Sequence, residues 1–172
     1  MNIEFLSAAL AALESPFKML VLLAIANGAP ILGKKIFGAS FNYPLDGGAK
    51  FRDGRPLFGP SKTIRGVVLS LIATALAASA LGYEWIDGAL ISALSMLGDL
   101  TSSFVKRRLG LPPSSMAPGL DQIPESLFPL LALKARLGLT AWDIAGVVLA
   151  FVVLELLLSR LLFGLHLRDR PY

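Results

Sequence analysis

Apolar segments close to the length of a membrane span recur along this chain, and they leave few folds open to it. The 172 residues are 55% hydrophobic and only 16% charged, with a mean hydropathy of +0.67. A soluble domain of this length needs far less apolar sequence for its core. The sequence therefore predicts an all-α integral membrane protein, a polytopic bundle of about five transmembrane helices that forms a single domain over residues 1–172.

The predicted spans are separated by short turns and by two longer polar loops. The spans cover about residues 5–32, 66–83, 88–108, 121–139 and 142–165, and the loops cover about 33–65 and 109–121. The start of the first span has two readings. Either Pro16 begins it after a short interfacial helix, or it starts near Phe5 and carries Glu14 and Lys18 as an i, i+4 pair. The fourth span is marginal, and Pro129 is expected to kink it.

Basic residues predict which side of the membrane the loops occupy. Most of the 16 lysines and arginines fall in three clusters, within Lys34–Arg65, Lys106–Arg108 and Arg160–Arg170. Such clusters are typical of cytoplasmic loops. We therefore expect a multi-pass protein of the cell membrane with both long loops and the C-terminus in the cytoplasm. An odd number of spans then puts the N-terminus outside.

The third span carries a polar stripe that is the most informative feature of the chain. Its members recur at intervals of three and four residues and therefore share one helical face: Ser92, Ser95, Asp99, Ser102 and Lys106. Within a membrane such a face must contact protein or water. An aspartate at that depth is costly and usually functional. The alternative is structural, with serines bonding back to helix carbonyls and Asp99 paired with a basic neighbour.

The first long loop combines glycines with lysines and arginines. Gly47 and Gly48 allow the backbone to approach a ligand closely, and the basic side chains suit phosphate groups. The loop is not a P-loop, because the Gly-Lys-Ser/Thr ending is absent. A loop that binds only anionic lipid headgroups is the alternative, but Asp46 and Asp53 would have no use there.

Two aspartates suggest a metal site. Asp99 and Asp121 come from different elements at the same end of the bundle and could share a divalent cation. The chain has no cysteine and a single histidine, which favours a hard ion such as Mg²⁺ over zinc. Metal and basic side chains together are what transfer at a phosphate requires. Without a cysteine or a Ser–His pair, one substrate is expected to attack the other directly. Alternatively, Asp121 caps the fourth helix.

Three segments resemble a known enzyme family. GDLTSSFVKR (98–107) resembles the GDLxxSxxKR segment of the CDP-diacylglycerol synthases, and PGLD (118–121) resembles the end of the same signature. GPSKTIRG (59–66) is similar to the SPKKTxEG segment of that family. The GHGG of the family is missing here, and its Asp-Arg is Asp121-Gln122. The short chain, its PLDGG and FRDGRPLFG sequences and its shortened APGLDQIP loop resemble the archaeal branch, the CDP-archaeol synthases.

The resemblance implies a cytidylyltransferase of phospholipid biosynthesis. It would transfer CMP from CTP to 2,3-bis-geranylgeranyl-glycerol 1-phosphate, forming a CDP-lipid and pyrophosphate. Mg²⁺ would be the cofactor, held by Asp99 and Asp121, with Lys106 as a further catalytic residue. The implied nucleotide and phosphate ligands are Asn27, Asp46, Gly47, Gly48, Lys62, Thr63, Ser103, Lys106 and Arg107. CTP, the lipid phosphate and the bilayer are the expected partners, nucleic acid is not, and assembly with further copies of the chain is left open.

Other classes fit part of the sequence. A small ion- or proton-coupled transporter or channel could use Asp99 and Glu155 within the membrane, but the chain shows no internal repeats and a transporter has no need of the basic loop. A CDP-diacylglycerol synthase acting on phosphatidic acid would share the motifs. A CDP-alcohol phosphatidyltransferase is disfavoured because its DGxxAR arrangement is not reproduced.

Overall fold

Five helices and the loops between them make up the computed structural model, which describes residues 3–164 and, of their side chains, those of 13–161 and 164. The helices are α1 (Ile3–Phe37), α2 (Ile64–Ala80), α3 (Trp85–Arg108), α4 (Gln122–Ala132) and α5 (Ala141–Gly164). Two isolated bridges, Pro44 with Thr63 and Lys50 with Pro56, stabilise the first long loop. The predicted all-α bundle of about five helices is confirmed.

The two long loops meet at one end of the bundle, called the loop side below. Arg55 Nη1 of the first loop donates to Arg108 O at the end of α3 (2.5 Å), and Arg107 Nη2 donates to Pro112 O of the second loop (2.8 Å). At the opposite end, Arg136 beyond α4 pairs with Asp87 at the start of α3. Successive helices therefore run between the two ends.

Among the described residues, three helical segments are long and apolar enough to cross a membrane: Leu13–Phe37, Trp85–Arg108 and Ala141–Leu161, with α2 a shorter apolar helix. The unbroken helix and the ion pair expected by the second reading of the first span are observed, while the apolar span itself, as far as side chains are described, begins at Leu13. Helix α1 runs unbroken through Pro16, and Glu14 Oε1 lies 2.6 Å from Lys18 Nζ.

The fourth helix is shorter than predicted. It has 11 residues, about 16 Å or half of a hydrocarbon core of roughly 30 Å. The prediction of a helix as far as residue 139 is wrong, because the chain winds into turns after Ala132 and Gly138 adopts a left-handed φ of 64°. These turns bring Arg136 to Glu84 (2.8 Å) and Asp87 at the opposite end. A short helix and its turns thus complete a crossing that a regular helix was expected to make.

Small residues bring α2 and α3 together. A Cβ added at Gly88 would lie 2.4 Å from Thr74 O and 2.6 Å from Ala78 Cβ, so the two backbones are nearly in contact. Ser70 and Ser92 share a buried hydrogen bond of 2.7 Å between the same helices. The small residues of α2 therefore serve packing. The apolar core beside them consists of Met19, Leu22, Leu23, Ala78, Ile91, Leu130, Leu133, Leu139, Ile144, Val147 and Phe151.

Candidate functional site

The polar stripe of α3 faces the protein interior, as predicted. Its serines are fully buried, Lys106 is 7% exposed, and the Asp99 side chain is 19% exposed. Ser95 Oγ accepts from Asn27 Nδ2 at 3.0 Å, which ties α1 to α3 one turn from Asp99. Ser102 Oγ donates to Gly98 O, as the structural alternative expected, and also to Leu120 O of the second loop. The stripe therefore joins three parts of the chain.

Asp99 forms the first of two carboxylate–lysine pairs. Lys62 Nζ of the first loop lies 2.5 Å from Asp99 Oδ2, and about a fifth of each side chain is exposed. Burial alone would lower the pKa of Lys62, but the Asp99 carboxylate outweighs it, and Glu125 and Asp121 add to the attraction, so that the pKa is raised. Lys62 thus lies in the field of three carboxyl groups from α3, the second loop and α4.

Asp121 forms the second pair. Its Oδ1 lies 2.6 Å from Lys106 Nζ, and its Oδ2 accepts from Ala117 N at 2.9 Å. Lys106 also donates to Ser115 O at 2.8 Å. Asp121 occupies the N-cap position of α4 but makes no capping hydrogen bond with its side chain, so the capping alternative is wrong. The carboxylate is turned toward the end of α3 instead.

Arg107 lies between the two loops beside these pairs. Its Nη1 is 3.5 Å from where a Cβ on Gly59 would lie, while its Nε and Ser115 Oγ are buried with no hydrogen-bond partner in the described part of the chain. Buried polar atoms are seldom left so. Ser103, one turn earlier on α3, is 3% exposed. An anion bound beside Arg107 Nε would give that donor a partner.

Asp46 holds together the turn that was predicted to contact the nucleotide. Its Oδ1 accepts from Gly48 N (2.9 Å), and its Oδ2 accepts from Phe58 N (2.9 Å) and Gly59 N (3.2 Å). Gly47 and Gly48 have φ of 57° and 79°, and a Cβ on either would meet open space. Asp46 therefore stabilises the loop through hydrogen bonds to its backbone. A direct role of Asp46, Gly47 and Gly48 in nucleotide binding stays a prediction.

Asp46→Asn is expected to lower the unfolding temperature at neutral pH by about 2–4 °C. Burial alone would raise the pKa of Asp46, but the N–H donors of Phe58, Gly48 and Gly59 outweigh it and lower the pKa. The carboxylate thus stabilises the fold above its ordinary pKa of about 3.9, and this contribution is lost as the pH falls through the lowered folded-state value. Melting curves of both proteins from pH 7 to pH 3 should converge toward acid; a constant difference would contradict the assignment.

Two further residues that the sequence assigned to substrate binding have structural roles at helices. Thr63 is the N-cap of α2, where its Oγ1 accepts from Gly66 N at 3.1 Å. Asn27 Nδ2 donates to Leu23 O as well as to Ser95 Oγ, which leaves its carbonyl oxygen to face other groups. Both residues border the Lys62–Asp99 pair in sequence or in space, and their contacts with a ligand stay predictions.

Two arginines fasten the first loop to the end of α3, a contact called the arginine latch below. Arg55 Nη1 donates to Arg108 O, and Arg108 Nη2 donates back to Pro56 O at 2.7 Å. The Arg108 guanidinium lies 4.8 Å from the ring of Phe51 and 4.9 Å from that of Phe104. The loop that carries Lys62 is thereby held in position against α3.

Arg108→Ala is expected to loosen this loop and to raise the KM for the nucleotide substrate by about 10-fold to 100-fold, since small displacements of binding groups are costly. Arg108→Lys should recover only part of the loss, because a compact ammonium lacks the planar guanidinium that lies against two rings while it donates to the loop. Limited proteolysis should cut the variant faster near residues 50–56. The exposed Arg52 of the same loop provides the control, and equal cleavage of Arg52→Ala and Arg108→Ala would speak against the latch.

Glu125 is a site residue that the sequence argument missed. It is 6% exposed in the first turn of α4, and its carboxyl lies close to that of Asp99. Glu155 of α5 acts on Glu125 electrostatically. The argument that marked Asp99, the cost of a carboxyl group in an apolar segment, applies equally to Glu125 and could have found it.

The donor set fits a metal that is shared with a ligand. Among the described residues, no group of three or more Asp, Glu, His or Cys side chains is placed to hold an ion. Asp121 Oδ1 is buried, and its contact with Lys106 lies outside hydrogen-bonding geometry. A carboxylate oxygen of this kind suits Mg²⁺, which completes its coordination with water and phosphate oxygens.

Buried carboxylate–lysine pairs at one end of an apolar helical bundle define an intramembrane enzyme whose site is suited to phosphorylated ligands. The family model described as CDP-archaeol synthase (CarS-like) matches residues 17–172. The chain belongs to the CDP-archaeol synthase family.

Individual relatives agree with this family. The chain is 43% identical over 129 residues to the CDP-archaeol synthase of Hyperthermus butylicus, covering 72% of this chain and 73% of the relative. It is 34% identical over 135 residues to that of Sulfurisphaera tokodaii, covering 75% and 81%. A solved structure described as an intramembrane enzyme for archaeal membrane lipids biosynthesis matches with a TM-score of 0.65 and 31% identity, covering 81% of this chain and 91% of the other. The resemblance drawn from the motifs is confirmed, and the transporter and phosphatidyltransferase alternatives are disfavoured.

Proposed function

We propose that the protein transfers CMP from CTP to an isoprenoid ether-lipid phosphate, 2,3-bis-geranylgeranyl-glycerol 1-phosphate, and releases pyrophosphate. The observation that carries this proposal is the pairing of Asp99 with Lys62 and of Asp121 with Lys106 beneath the first loop. Asp99 and Lys106 are seven residues apart on α3, which is two turns of one helical face. Membership of the CDP-archaeol synthase family supports the reaction class.

Positive charge near the two pairs suits the phosphates of both substrates. Lys62, Lys106 and Arg107 would neutralise charge on the triphosphate and on the leaving pyrophosphate. Arg107 Nε and Ser115 Oγ are buried donors without a partner in the described part of the chain, and phosphate oxygens would supply partners. The lipid phosphate oxygen would attack the α-phosphorus of CTP directly, and the bond to the β-phosphate oxygen would break as pyrophosphate leaves.

Asp99 and Asp121 would hold Mg²⁺, with Glu125 close enough to Asp99 to orient it. The ion, when bound, supplies charge neutralisation at phosphate oxygens. Asn27, Asp46, Gly47, Gly48, Thr63 and Ser103 would shape the nucleotide pocket around these groups. In this scheme the lysines balance the carboxylates and also contact phosphate oxygens.

The reaction is proposed to take place at the cytoplasmic face of the cell membrane. Residues 1–172 would form one transmembrane domain, with loops 33–65 and 109–121 in the cytoplasm and the N-terminus outside. The density of lysine and arginine in both loops supports this orientation. Arg168 and Arg170, which contributed to the sequence prediction, lie outside the described residues.

The proposal is tested with purified protein in detergent, labelled CTP, Mg²⁺ and one of two acceptors. We expect pyrophosphate release with 2,3-bis-geranylgeranyl-glycerol 1-phosphate, little with phosphatidic acid, and none without lipid. A chelator should stop the reaction, and added Mg²⁺ should restore it. A preference for phosphatidic acid would show that the substrate is a diacylglycerol phosphate. Absence of pyrophosphate release with either lipid phosphate would refute the proposal.

A further inference from the structure

An apolar groove runs along the outside of the bundle between α4 and α5. Its volume is about 550 Å³, within the range of roughly 300–1,000 Å³ that is typical of ligand sites. Lys134 is the one charged residue among the described residues that line it. The groove is formed mainly by two rows of side chains at four-residue spacing, Ile123, Leu127 and Leu131 on α4 and Ile144, Val148 and Val152 on α5.

The loop-side end of this groove touches the candidate site. Gly119 and Ile123 line it there, and they flank Asp121, whose carboxylate pairs with Lys106. The other end is lined by Lys134 and Ala141. The groove follows the length of α4, about 16 Å, which is about half of a hydrocarbon core of roughly 30 Å. It therefore leads from the buried charges toward the opposite end of the bundle, where the turns after α4 carry Arg136 to Asp87.

A second apolar groove provides a comparison. It lies on α1 between Phe17 and Leu32, with Ala73 of α2 and Leu154 of α5 at its edges, and its volume is about 480 Å³. The described linings of both grooves contain no member of the two carboxylate–lysine pairs, but only the α4–α5 groove is lined by residues within two positions of one, Gly119 and Ile123 on either side of Asp121. Bulk lipid would fill either groove equally well. A chain attached to a phosphate at Lys106 would select the groove between α4 and α5.

We propose that the α4–α5 groove binds one isoprenoid chain of the lipid phosphate while its phosphate lies at the Lys106–Asp121 pair. This inference rests on the proposed function, because it takes a lipid phosphate as the substrate. The groove then acts as a specificity site. The phosphate supplies the charged anchor, and the fit of a branched apolar chain along the groove between the two rows distinguishes one lipid from another.

Filling the groove tests this assignment. Ala145 lines the groove on the exposed side of α5, and Ala145→Trp should raise the KM for the lipid phosphate about 10-fold or more. The KM for CTP should stay unchanged. The matched control is Ala24→Trp in the groove on α1, which should change neither constant. Melting curves should show that both variants fold.

A binding measurement separates this inference from the proposed reaction. The chain has no cysteine, so Val148→Cys in the α4–α5 groove and Ile25→Cys in the other groove each carry one reactive thiol. The ether-lipid phosphate without CTP should slow labelling by an apolar maleimide in the Val148→Cys variant only. Normal turnover with no protection, and an unchanged lipid KM in Ala145→Trp, would overturn the groove assignment and leave the reaction standing. Protection without any turnover would support the groove and refute the reaction.

Discussion

Replacing Asp99 with alanine is expected to lower kcat/KM for CMP transfer by about 10²–10³-fold, the loss typical of removing one preorganised charge from an active site. The carboxylate would bind the metal and also neutralises Lys62 at 2.5 Å. Its removal leaves that ammonium, only 22% exposed, without its counter-charge, so Lys62 would also bind phosphate differently. Pyrophosphate release at saturating lipid measures the effect.

Two further variants separate charge from shape in this experiment. Asp99→Asn keeps the size of the side chain and removes its charge, so it should be nearly as inactive as Asp99→Ala. Glu14→Ala removes a carboxylate from another ion pair of 2.6 Å, that with Lys18 on α1, and should retain full activity. Titration with Mn²⁺ should show weaker binding to Asp99→Asn than to the wild type. Wild-type turnover and Mn²⁺ affinity in Asp99→Asn would remove this residue from the metal site.

Gly98→Ala is expected to displace the first turn of α4 and thereby to lower the activity by about 100-fold or more. A Cβ at Gly98 would lie 2.3 Å from Pro124 O and 2.6 Å from Glu125 N. These are backbone atoms, so the first turn of α4 must move, and Asp121 and Glu125 move with it. The overpacking should also destabilise the fold by about 1–3 kcal/mol. Turnover and melting temperature are measured on the same preparation.

Two other glycines provide controls of matched size. Gly88→Ala creates a comparable clash, 2.4 Å from Thr74 O, but between α2 and α3 and away from the carboxylates. It should lose stability yet keep most of its activity per folded molecule. Gly146→Ala meets nothing within 4 Å and should leave the activity unchanged without destabilising the fold, since alanine favours a helix over glycine. If Gly98→Ala and Gly88→Ala lose activity in the same proportion as stability, the contact at Gly98 has no special role in catalysis.

The sequence predicted the features that depend on one helix at a time. The stripe from Ser92 to Lys106 is buried because its spacing puts it on one face, and the apolar lengths of α1, α3 and α5 follow from composition. A basic partner for Asp99 was one of the alternatives, but its identity as Lys62 was not predictable, since the pair joins residues 37 positions apart through a loop without regular structure.

The errors concern elements whose shape is set by tertiary contacts. Helix α4 ends at Ala132 because the following turns carry Arg136 to Asp87. Neither composition nor hydrophobic periodicity could predict this ion pair. The N-cap alternative for Asp121 considered only the local preference of aspartate. The structure gives Asp121 a charged partner 15 positions earlier in the chain, at Lys106, which outweighs the cap.

The start of α4 beside Gly98 sets the depth at which the substrates would meet. Gly98 is ten residues below the end of α3 at Arg108, about 15 Å along the axis, and Leu120 already lies level with Ser102. The second loop therefore descends into the bundle as a re-entrant segment. A lipid could then present its phosphate without being extracted from its leaflet, while the triphosphate of the nucleotide travels inward along the lysines and arginines to reach it.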